Sequence, residues 1–222
     1  MNKIPGRINP TLLKALEYGW LPPQINVDGV YAIEGAGPSI SYPATLFEEI
    51  SETPGFWSIG RTSEILKELH AVGVRSLVEV GAGSGDLALG LTSAGIDVVA
   101  IEPLMSGCIN ISRHNVTTFC STLEELKLPE LAIPAYGAFD VLEHLEHPET
   151  VVSEMHRTLV SGGYLFVTVP TGSWLWGHID DALGHYKRYK KSEIEDLLAG
   201  QGFEIRSSRY LFLSLVIPAF LL

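Results

Sequence analysis

The chain has 222 residues, the size of one α/β domain with or without an appendage. It is 46% hydrophobic and 18% charged, which excludes a disordered chain, and its net charge of −11 disfavours binding to nucleic-acid phosphates. Its two cysteines, Cys108 and Cys120, form no CxxC pair, so that zinc ribbons and a disulfide scaffold are not expected.

The first 55 residues differ from the rest, because they hold seven of the thirteen prolines and only short apolar runs. They predict an irregular N-terminal extension, residues 1–55, that packs on or caps a main domain of residues 56–222. The start lacks the apolar stretch of a secretory signal, and the apolar tract at 211–222 is too short to span a bilayer. We expect a cytoplasmic protein without a membrane span, with a peripheral membrane contact through the apolar C-terminal tail as an open alternative.

From residue 56 onward, apolar strands alternate with amphipathic helices. The predicted strands are residues 76–80, 96–101, 116–119, 138–142, 164–169 and 203–206. The predicted helices cover residues 62–72, residues 86–94, a stretch that begins at Pro148, and a stretch that begins at the capping-box pair Ser192 and Glu195 and ends at Gly200 and Gly202. This alternation predicts an α/β fold with a doubly wound, mostly parallel sheet. Ligands bind beyond the carboxyl ends of such strands, so the residues that follow each strand are the candidates for function.

The first strand leads into three alternate glycines, Gly81, Gly83 and Gly85, which let the backbone turn tightly and approach a ligand. A dinucleotide-binding loop, G-x-G-x-x-G, would place its third glycine at position 86, where this chain has Asp86. A pyrophosphate there would also be repelled by Asp86 and Glu79. The loop therefore favours a ligand with a positive centre and no phosphate, such as S-adenosylmethionine, over a nicotinamide cofactor.

The second strand ends at Glu102, whose carboxylate can accept hydrogen bonds from both hydroxyls of a ribose. Nicotinamide enzymes use the same device, so this acid supports adenosine recognition without choosing the cofactor. The residues after the third strand are candidate adenine contacts. Besides Glu79 and the three glycines, the predicted cofactor site includes Ala82, Glu102, Pro103, Ser121, Thr122, Leu123 and Asp140.

Three acids and two histidines lie within residues 140–147, after the fourth predicted strand. Asp140 can orient the cofactor or an acceptor. Glu143 and His144 can bind substrate, act as a base or coordinate a hard metal ion. Glu146 and His147 are interpreted as solvated loop residues.

Residues 171–189 are rich in aromatic and titratable side chains, which is typical of a lid over a cleft. Trp174 and Trp176 are candidate acceptor contacts, with a core or interface position as the alternative. His178 and His185 are candidate bases for an acceptor hydroxyl. The basic residues at 187–191 can hold an anionic group or form a solvated helix entrance.

Several of these segments resemble class I S-adenosylmethionine-dependent methyltransferases. VEVGAGSGDLAL (78–89) is similar to their glycine motif, and Ile101-Glu102-Pro103 to their second acidic motif. AFDVLEHLEHP (138–148) and HRTLVSGGYLFVTVP (156–170) are similar to their later strands. The segment 173–203 resembles a bacterial subgroup with DVLEH and GHYKRY-type motifs, and Gly55-Phe56-Trp57 with Arg61 resemble its lead-in.

The resemblance covers residues 55–212 and implies a Rossmann-like methyltransferase fold. It assigns Glu79, Glu102 and the three loop glycines to the cofactor, and places Asp140 near the cofactor or the acceptor. Two features depart from the family. Ser121 or Thr122 stands where an acid is usual, and the seventh strand has no evident counterpart, so that the adenine contacts and the sheet edge stay open.

The expected function is methyl transfer from S-adenosylmethionine to a small molecule or a glycan or lipid precursor, with O-methylation favoured and without a metal. Asp140, His144 and His185 are the candidate catalytic residues. Because Asp140, Glu143 and His144 resemble the metal site of ubiquinone-pathway O-methyltransferases, metal-assisted transfer is one alternative. A nicotinamide oxidoreductase and a non-catalytic cofactor-binding module are alternatives from other classes.

Overall fold

One sheet organises the residues that this computed structural model describes, which are 10–25, 30–33 and 56–211. Within them the strand order is β1-β2-β5-β4-β3-β6-β7, and every neighbouring pair is parallel except β1 with β2. The predicted doubly wound, mostly parallel sheet is therefore confirmed. The strands are β1 (Gln24–Ile25), β2 (Tyr31–Ala32), β3 (Ser76–Val80), β4 (Asp97–Glu102), β5 (Thr117–Cys120), β6 (Ile133–Phe139) and β7 (Leu159–Thr168).

Helices cover both faces of the sheet, because successive residues of a buried strand point to opposite sides. The helices are α1 (Leu13–Glu17), α2 (Phe56–Ala71), α3 (Asp86–Ser93), α4 (Met105–Ser112), α5 (Pro148–Thr158), α6 (His178–Leu183) and α7 (Lys191–Gly200). Leu77 of β3 packs in a core cluster with residues of α2 and α3, whereas Val78 packs in another cluster with residues of α5.

The predicted strand at 138–142 is wrong in its position, since β6 spans Ile133–Phe139 and ends before Asp140. Pro134 and Gly137 read as strand breakers in the sequence. In the folded chain both residues lie within β6. The strand requires glycine at position 137, because an added Cβ would lie 2.2 Å from the ring of Phe139. The predicted strand at 164–169 likewise starts too late. Strand β7 begins at Leu159, so that Gly162 and Gly163 lie within it.

Two further predictions at the end of the chain are corrected. Residues 203–206 form no strand, because alternate side chains there do not share a buried face: Glu204, Ile205 and Arg206 are all exposed. Helix α7 begins at Lys191, and the carboxylate of Glu193 accepts a hydrogen bond from the Lys190 amide at 2.8 Å. This Glu193 cap replaces the predicted capping pair, which lies two residues too far along the chain.

The described part of the N-terminal extension packs on the main domain. Leu12 and Ala15 lie in the core, and Trp20 donates from Nε1 to the carbonyl oxygen of Leu126 at 2.8 Å. Strand β2 adds to the sheet beside β5, where Tyr31 stacks on Phe119 with ring centroids 4.9 Å apart. The domain boundary at residue 55 stays a prediction.

The apolar tail at 212–222 lies outside the described residues, so the peripheral membrane contact stays a prediction as well. Within the described part of the chain, every helix falls short of the length and apolar character that crossing a bilayer requires.

Candidate functional site

The glycine loop between β3 and α3 adopts the left-handed backbone conformation at all three predicted glycines. Their φ angles are +70° at Gly81, +57° at Gly83 and +91° at Gly85. Packing requires two of them as well, because an added Cβ would lie 2.7 Å from Val141 at Gly81 and 2.4 Å from Ile111 at Gly85. The glycines thus shape the loop and, at 81 and 85, also allow close packing behind it.

Glu102, at the end of β4, ties the glycine loop to the next turn. Its Oε2 accepts a hydrogen bond from the Gly83 amide at 2.7 Å, and its Oε1 accepts one from the Leu104 amide at 2.9 Å. Burial raises the pKa of Glu102, and the two amide hydrogen bonds act in the opposite direction. The carboxylate therefore lies directly beneath the loop, where each oxygen has a further lone pair.

Glu79 is buried in β3, two residues before the loop, with only 2% of its surface exposed. Burial raises its pKa to about 8, which Arg61 partly counteracts and Glu102 reinforces. Within the described residues its Oε2 has no hydrogen-bond partner. A buried carboxyl group with an open acceptor is stabilised by a cation or a donor that binds nearby.

Asp140 directly follows β6 with a φ of +57°, a strained conformation for a residue with a side chain. Its Oδ2 forms an ion pair with Nη1 of Arg61, and its Oδ1 accepts a hydrogen bond from the Thr168 hydroxyl at 2.9 Å. The Arg61 Nε is buried and has no partner within the described residues. Arg61 belongs to the site, although the sequence indicated it only as part of a lead-in motif.

Glu143, His144 and His185 form a cluster beside Asp140, which we call the acidic–histidine cluster. One ligand atom of each residue lies within 4.8 Å of the others, and the two imidazole centroids are 4.6 Å apart. Burial and the nearby Asp140 raise the pKa of Glu143 to about 8. Burial and the neighbouring His185 lower the pKa of His144 to about 4, against hydrogen bonds to the backbone of the 183–184 turn. Near pH 7, His144 is therefore neutral.

Asp180, whose role the sequence did not indicate, anchors His185. Its Oδ1 accepts hydrogen bonds from His185 Nδ1 at 2.8 Å and from Arg188 Nε at 2.7 Å, and its Oδ2 accepts one from the Gly177 amide at 3.0 Å. Burial raises the pKa of Asp180, but the hydrogen bonds from Arg188, Gly177 and His185 outweigh it and bring the pKa to about 2. The carboxylate is therefore ionised and only 1% exposed.

The residues that follow His185 pack directly on the backbone at Leu142 and Glu143. The Tyr186 amide donates to the Glu143 carbonyl oxygen at 2.7 Å, and the buried Tyr189 hydroxyl donates to the Leu142 carbonyl oxygen at 3.1 Å. Two regions that lie more than 40 residues apart in the chain are thereby held in contact.

One cavity of about 1220 Å³ connects the glycine loop with the acidic–histidine cluster and continues along β7. The predicted site residues that line it are Gly81, Ala82, Gly83, Glu102, Pro103, Asp140, His144 and His185, and they are joined by Arg61, Asp86, Glu143 and Arg188. The cavity therefore brings together most of the predicted cofactor and catalytic residues at the carboxyl edge of the sheet, as expected for a doubly wound fold.

A family model for the methyltransferase domain matches residues 46–208 of the chain. The chain belongs to this methyltransferase family. An uncharacterized methyltransferase of Mycobacterium tuberculosis strain H37Rv is 26% identical over 157 residues, which cover 68% of this chain and 59% of the relative. A ubiquinone biosynthesis O-methyltransferase of Rickettsia canadensis is 22% identical over 162 residues, with 64% of this chain and 68% of the relative covered. The chain spans about six tenths of the length of the mycobacterial relative.

The fold of the methyltransferase domain is shared with solved structures. A SAM dependent methyltransferase from Aquifex aeolicus superposes with a TM-score of 0.60 at 16% identity, covering 75% of this chain and 92% of that one. At this identity the likeness concerns the fold, and it agrees with the Rossmann-like architecture that the sequence motifs predicted.

The remaining predicted residues of the methyltransferase domain do not line the cavity. Ser121 and Leu123 are buried, and the Thr122 amide donates to the Glu125 carboxylate at 2.8 Å. Glu79 and Gly85 likewise lie outside the cavity lining. The roles of these residues in cofactor binding stay predictions.

The aromatic segment also differs from the expected lid. Trp174 and Trp176 are 59% and 39% exposed and do not line the cavity, whereas Leu175 and Leu183 do. Lys187 lies over the ring of Tyr189, with its Nζ 4.5 Å from the ring centroid. The contacts of this segment with an acceptor remain a prediction.

Proposed function

We propose that this protein transfers a methyl group from S-adenosylmethionine to a small molecule or to a glycan or lipid precursor, most readily at oxygen. The observation that carries the proposal is the cavity at the glycine loop, which is lined by Glu102, Asp86 and Asp140 and backed by Glu79. Acidic groups around a helix N-terminus suit a cationic ligand and oppose a diphosphate, and a cation bound there would stabilise the ionised form of Glu79, whose pKa burial raises to about 8. The methyltransferase family membership supports the same ligand.

The residues of the cavity suit the parts of S-adenosylmethionine, which supplies a methyl group already activated on a sulfonium. The free lone pairs of the Glu102 carboxylate would accept hydrogen bonds from the ribose hydroxyls. Asp140 and Arg61 carry opposite charges at the same point, so they would bind the α-ammonium and the α-carboxylate of the methionine part. The positive φ angles of the loop leave its backbone free to approach the ligand.

Methyl transfer to a hydroxyl requires removal of its proton at or near the transition state. His185 is the better candidate base, because it is hydrogen-bonded to a carboxylate, whereas burial makes His144 a weak base. Asp140 would orient the cofactor or the acceptor beside them. The protein's remaining contribution is to align donor and acceptor in line within the cavity.

The acceptor class rests on charge and on the relatives. A net charge of −11 disfavours a nucleic-acid acceptor, since phosphate binding requires clustered Lys and Arg. The Rickettsia canadensis relative is named as an O-methyltransferase of ubiquinone biosynthesis. Together these observations favour a small hydroxylated acceptor.

Thermal-shift titration tests the cofactor directly. Stabilisation by S-adenosylmethionine and S-adenosylhomocysteine, but not by NAD, is expected. Stabilisation by NAD alone would favour an oxidoreductase, and no response to any nucleotide would favour a non-catalytic module. Incubation of the protein with isotopically labelled cofactor and a small-molecule cell extract, followed by mass spectrometry, would then identify the methylated product.

Glu102→Ala should weaken S-adenosylmethionine binding about 10- to 100-fold, the loss expected for charge-assisted hydrogen bonds to the ribose. Calorimetric titration measures the affinity. Glu124→Ala is the matched control, because that side chain is exposed and lies outside the cavity. Equal affinities of the wild type and the Glu102 variant would remove this acid from the site.

A second candidate function is metal-assisted O-methyl transfer. Glu143, His144 and His185 could hold a divalent cation, and the buried Glu143 Oε2 has no hydrogen-bond partner within the described residues. A cation there would stabilise the ionised form of Glu143 and polarise an acceptor oxygen. Mg²⁺ and EDTA are therefore added as separate arms to the same thermal-shift and labelling experiments. Stabilisation by Mg²⁺ and loss of transfer in EDTA would favour this mechanism over unassisted transfer.

A further inference from the structure

His185 is held by a buried network that leaves only one of its ring nitrogens directed away from Asp180. The side chain of His185 is 8% exposed, and its Nδ1 lies 2.8 Å from Asp180 Oδ1. An ionised carboxylate can only accept hydrogen bonds, so Nδ1 must carry the proton. In the neutral imidazole the lone pair is then on Nε2, on the opposite edge of the ring.

The carboxylate of Asp180 is itself held in place from several directions. Arg188 Nε donates to the same oxygen as His185, and the Gly177 amide donates to the other oxygen at the start of α6. Arg188 also donates from Nη1 to the Thr171 carbonyl oxygen at 3.4 Å. A buried carboxylate with three donors, one of them a guanidinium, is oriented and charge-compensated.

The geometry points to Asp180 as a positioning residue for methyl transfer: it holds His185 in the Nδ1-protonated form and thereby presents Nε2 of that residue at the acidic–histidine cluster. The inference rests on the proposed function, in which His185 receives the acceptor's proton. Arg188 acts in the same arrangement by holding Asp180.

The position of His185 within the acidic–histidine cluster supports this role. The ring of His185 meets the ring of His144 edge-on, at an interplanar angle of 75°, and both residues line the cavity. An imidazole with its Nδ1 free could rotate or adopt the tautomer that carries the proton on Nε2, and in either case would lose the acceptor that a hydroxyl proton needs. The Asp180 hydrogen bond disfavours both outcomes, because it holds the ring in place and keeps the proton of the neutral imidazole on Nδ1.

Asp180→Asn tests the inference, because it removes the negative charge and one of the two oxygens that serve three donors. Asp181→Asn is the matched control. It makes the same change one residue later, at an exposed side chain that accepts a hydrogen bond from Trp176 Nε1. Long-range ¹H–¹⁵N correlation spectra of the imidazoles, with His185 assigned through His185→Gln, report which ring nitrogen carries the proton.

The wild type and the Asp181 variant should show His185 protonated at Nδ1, and the Asp180 variant should lose this form. Initial rates of label transfer from S-adenosylmethionine to a small-molecule cell extract should fall at least about 100-fold in the Asp180 variant, the usual contribution of a positioned base. Cofactor affinity should stay within about threefold of the wild type. An Asp180 variant that keeps the Nδ1-protonated form, or that loses rate only in proportion to cofactor affinity, would overturn the inference.

A second variant keeps the test decisive if Asp180→Asn fails to fold. Asp180→Ala combined with Arg188→Ala removes both charges, and so leaves no unpaired buried charge; Arg188→Ala alone keeps the contact between Asp180 and His185. Loss of Nδ1 protonation in the double variant but not in the single variant supports the inference, and the same form in both contradicts it. These spectra need no cofactor. They therefore test whether Asp180 holds His185 even if the protein fails to transfer a methyl group, so that failure of this inference and failure of the proposed function can be told apart.

Discussion

At the scale of single residues, buried acids determine the character of the site. Glu79, Glu102 and Glu143 are almost fully buried, and burial raises the pKa of each carboxyl group. The sequence showed that acids follow the strands, and this was enough to predict a cation-binding cavity. The partners Arg61 and Asp180 were not predicted, because their contacts with Asp140 and His185 depend on how distant segments pack.

The pH dependence of stability follows from Glu79. Its pKa is about 8 in the folded protein, above the ordinary value of 4.5, so the folded state retains a proton that the unfolded state releases. The stability that Glu79 contributes is therefore complete below pH 4.5 and is lost as the pH rises to about 8. Glu79→Gln, which stays neutral, should reduce the fall in melting temperature of the cofactor-free protein between pH 5.5 and 8.

The expected difference at pH 8 is at least about 3 °C in favour of the variant, which corresponds to about 1 kcal/mol in a domain of this size. Glu64→Gln serves as the comparison, because Glu64 is surface-paired with Lys67 and its pKa is lowered instead. If the melting temperatures of the wild type and the Glu79 variant fall equally across this pH range, Glu79 is already ionised in the folded protein.

At the scale of secondary-structure elements, the close approach of α4 to the glycine loop supports the site from behind. A Cβ at Gly107 would lie 2.3 Å from the Gly83 carbonyl oxygen and 3.1 Å from Cγ of Glu102. Helix α4 was not predicted, because two serines, a glycine and an asparagine are interspersed among its four apolar residues. Its contact with the loop is therefore a property of the packed structure.

Gly107→Ala should destabilise the protein by about 1–3 kcal/mol, since the helix must move away from a backbone carbonyl group. Denaturant unfolding measures the change. Gly200→Ala is the matched control in α7, where an added Cβ meets nothing within 4 Å, and helix propensity predicts a neutral effect or a gain of about 0.5–1 kcal/mol. Equal effects of the two substitutions would contradict the close approach at Gly107.

At the scale of the whole molecule, the described N-terminal residues complete one core with the methyltransferase domain. Trp20 lies against Phe119 of β5, with ring centroids 5.7 Å apart, and bonds to the backbone of Leu126. The prolines and short apolar runs predicted an irregular cap, and the short strand β2 that joins the sheet was not predicted. The contact implies that both parts unfold together.

Trp20→Ala should lower the free energy of unfolding by about 2–4 kcal/mol, somewhat less than for a fully buried aromatic residue. The neighbouring Leu21 is 84% exposed, so Leu21→Ala should change stability by less than about 0.5 kcal/mol. Unfolding monitored by far-ultraviolet circular dichroism in denaturant compares the two. A Trp20 variant as stable as the Leu21 variant would show that the N-terminal part folds separately from the domain.

The sequence by itself determined the fold class, the glycine loop and the acids at the strand ends, because these are local patterns of hydrophobic periodicity, turn residues and charge. It placed β6 and the start of α7 wrongly. Packing against neighbouring elements decides whether Pro134 lies within a strand and whether Glu193 caps a helix. The tertiary structure alone decided that Arg61 meets Asp140 and that Asp180 orients His185. Such contacts join side chains far apart in the chain, and their geometry exists only after the sheet and its helices have packed.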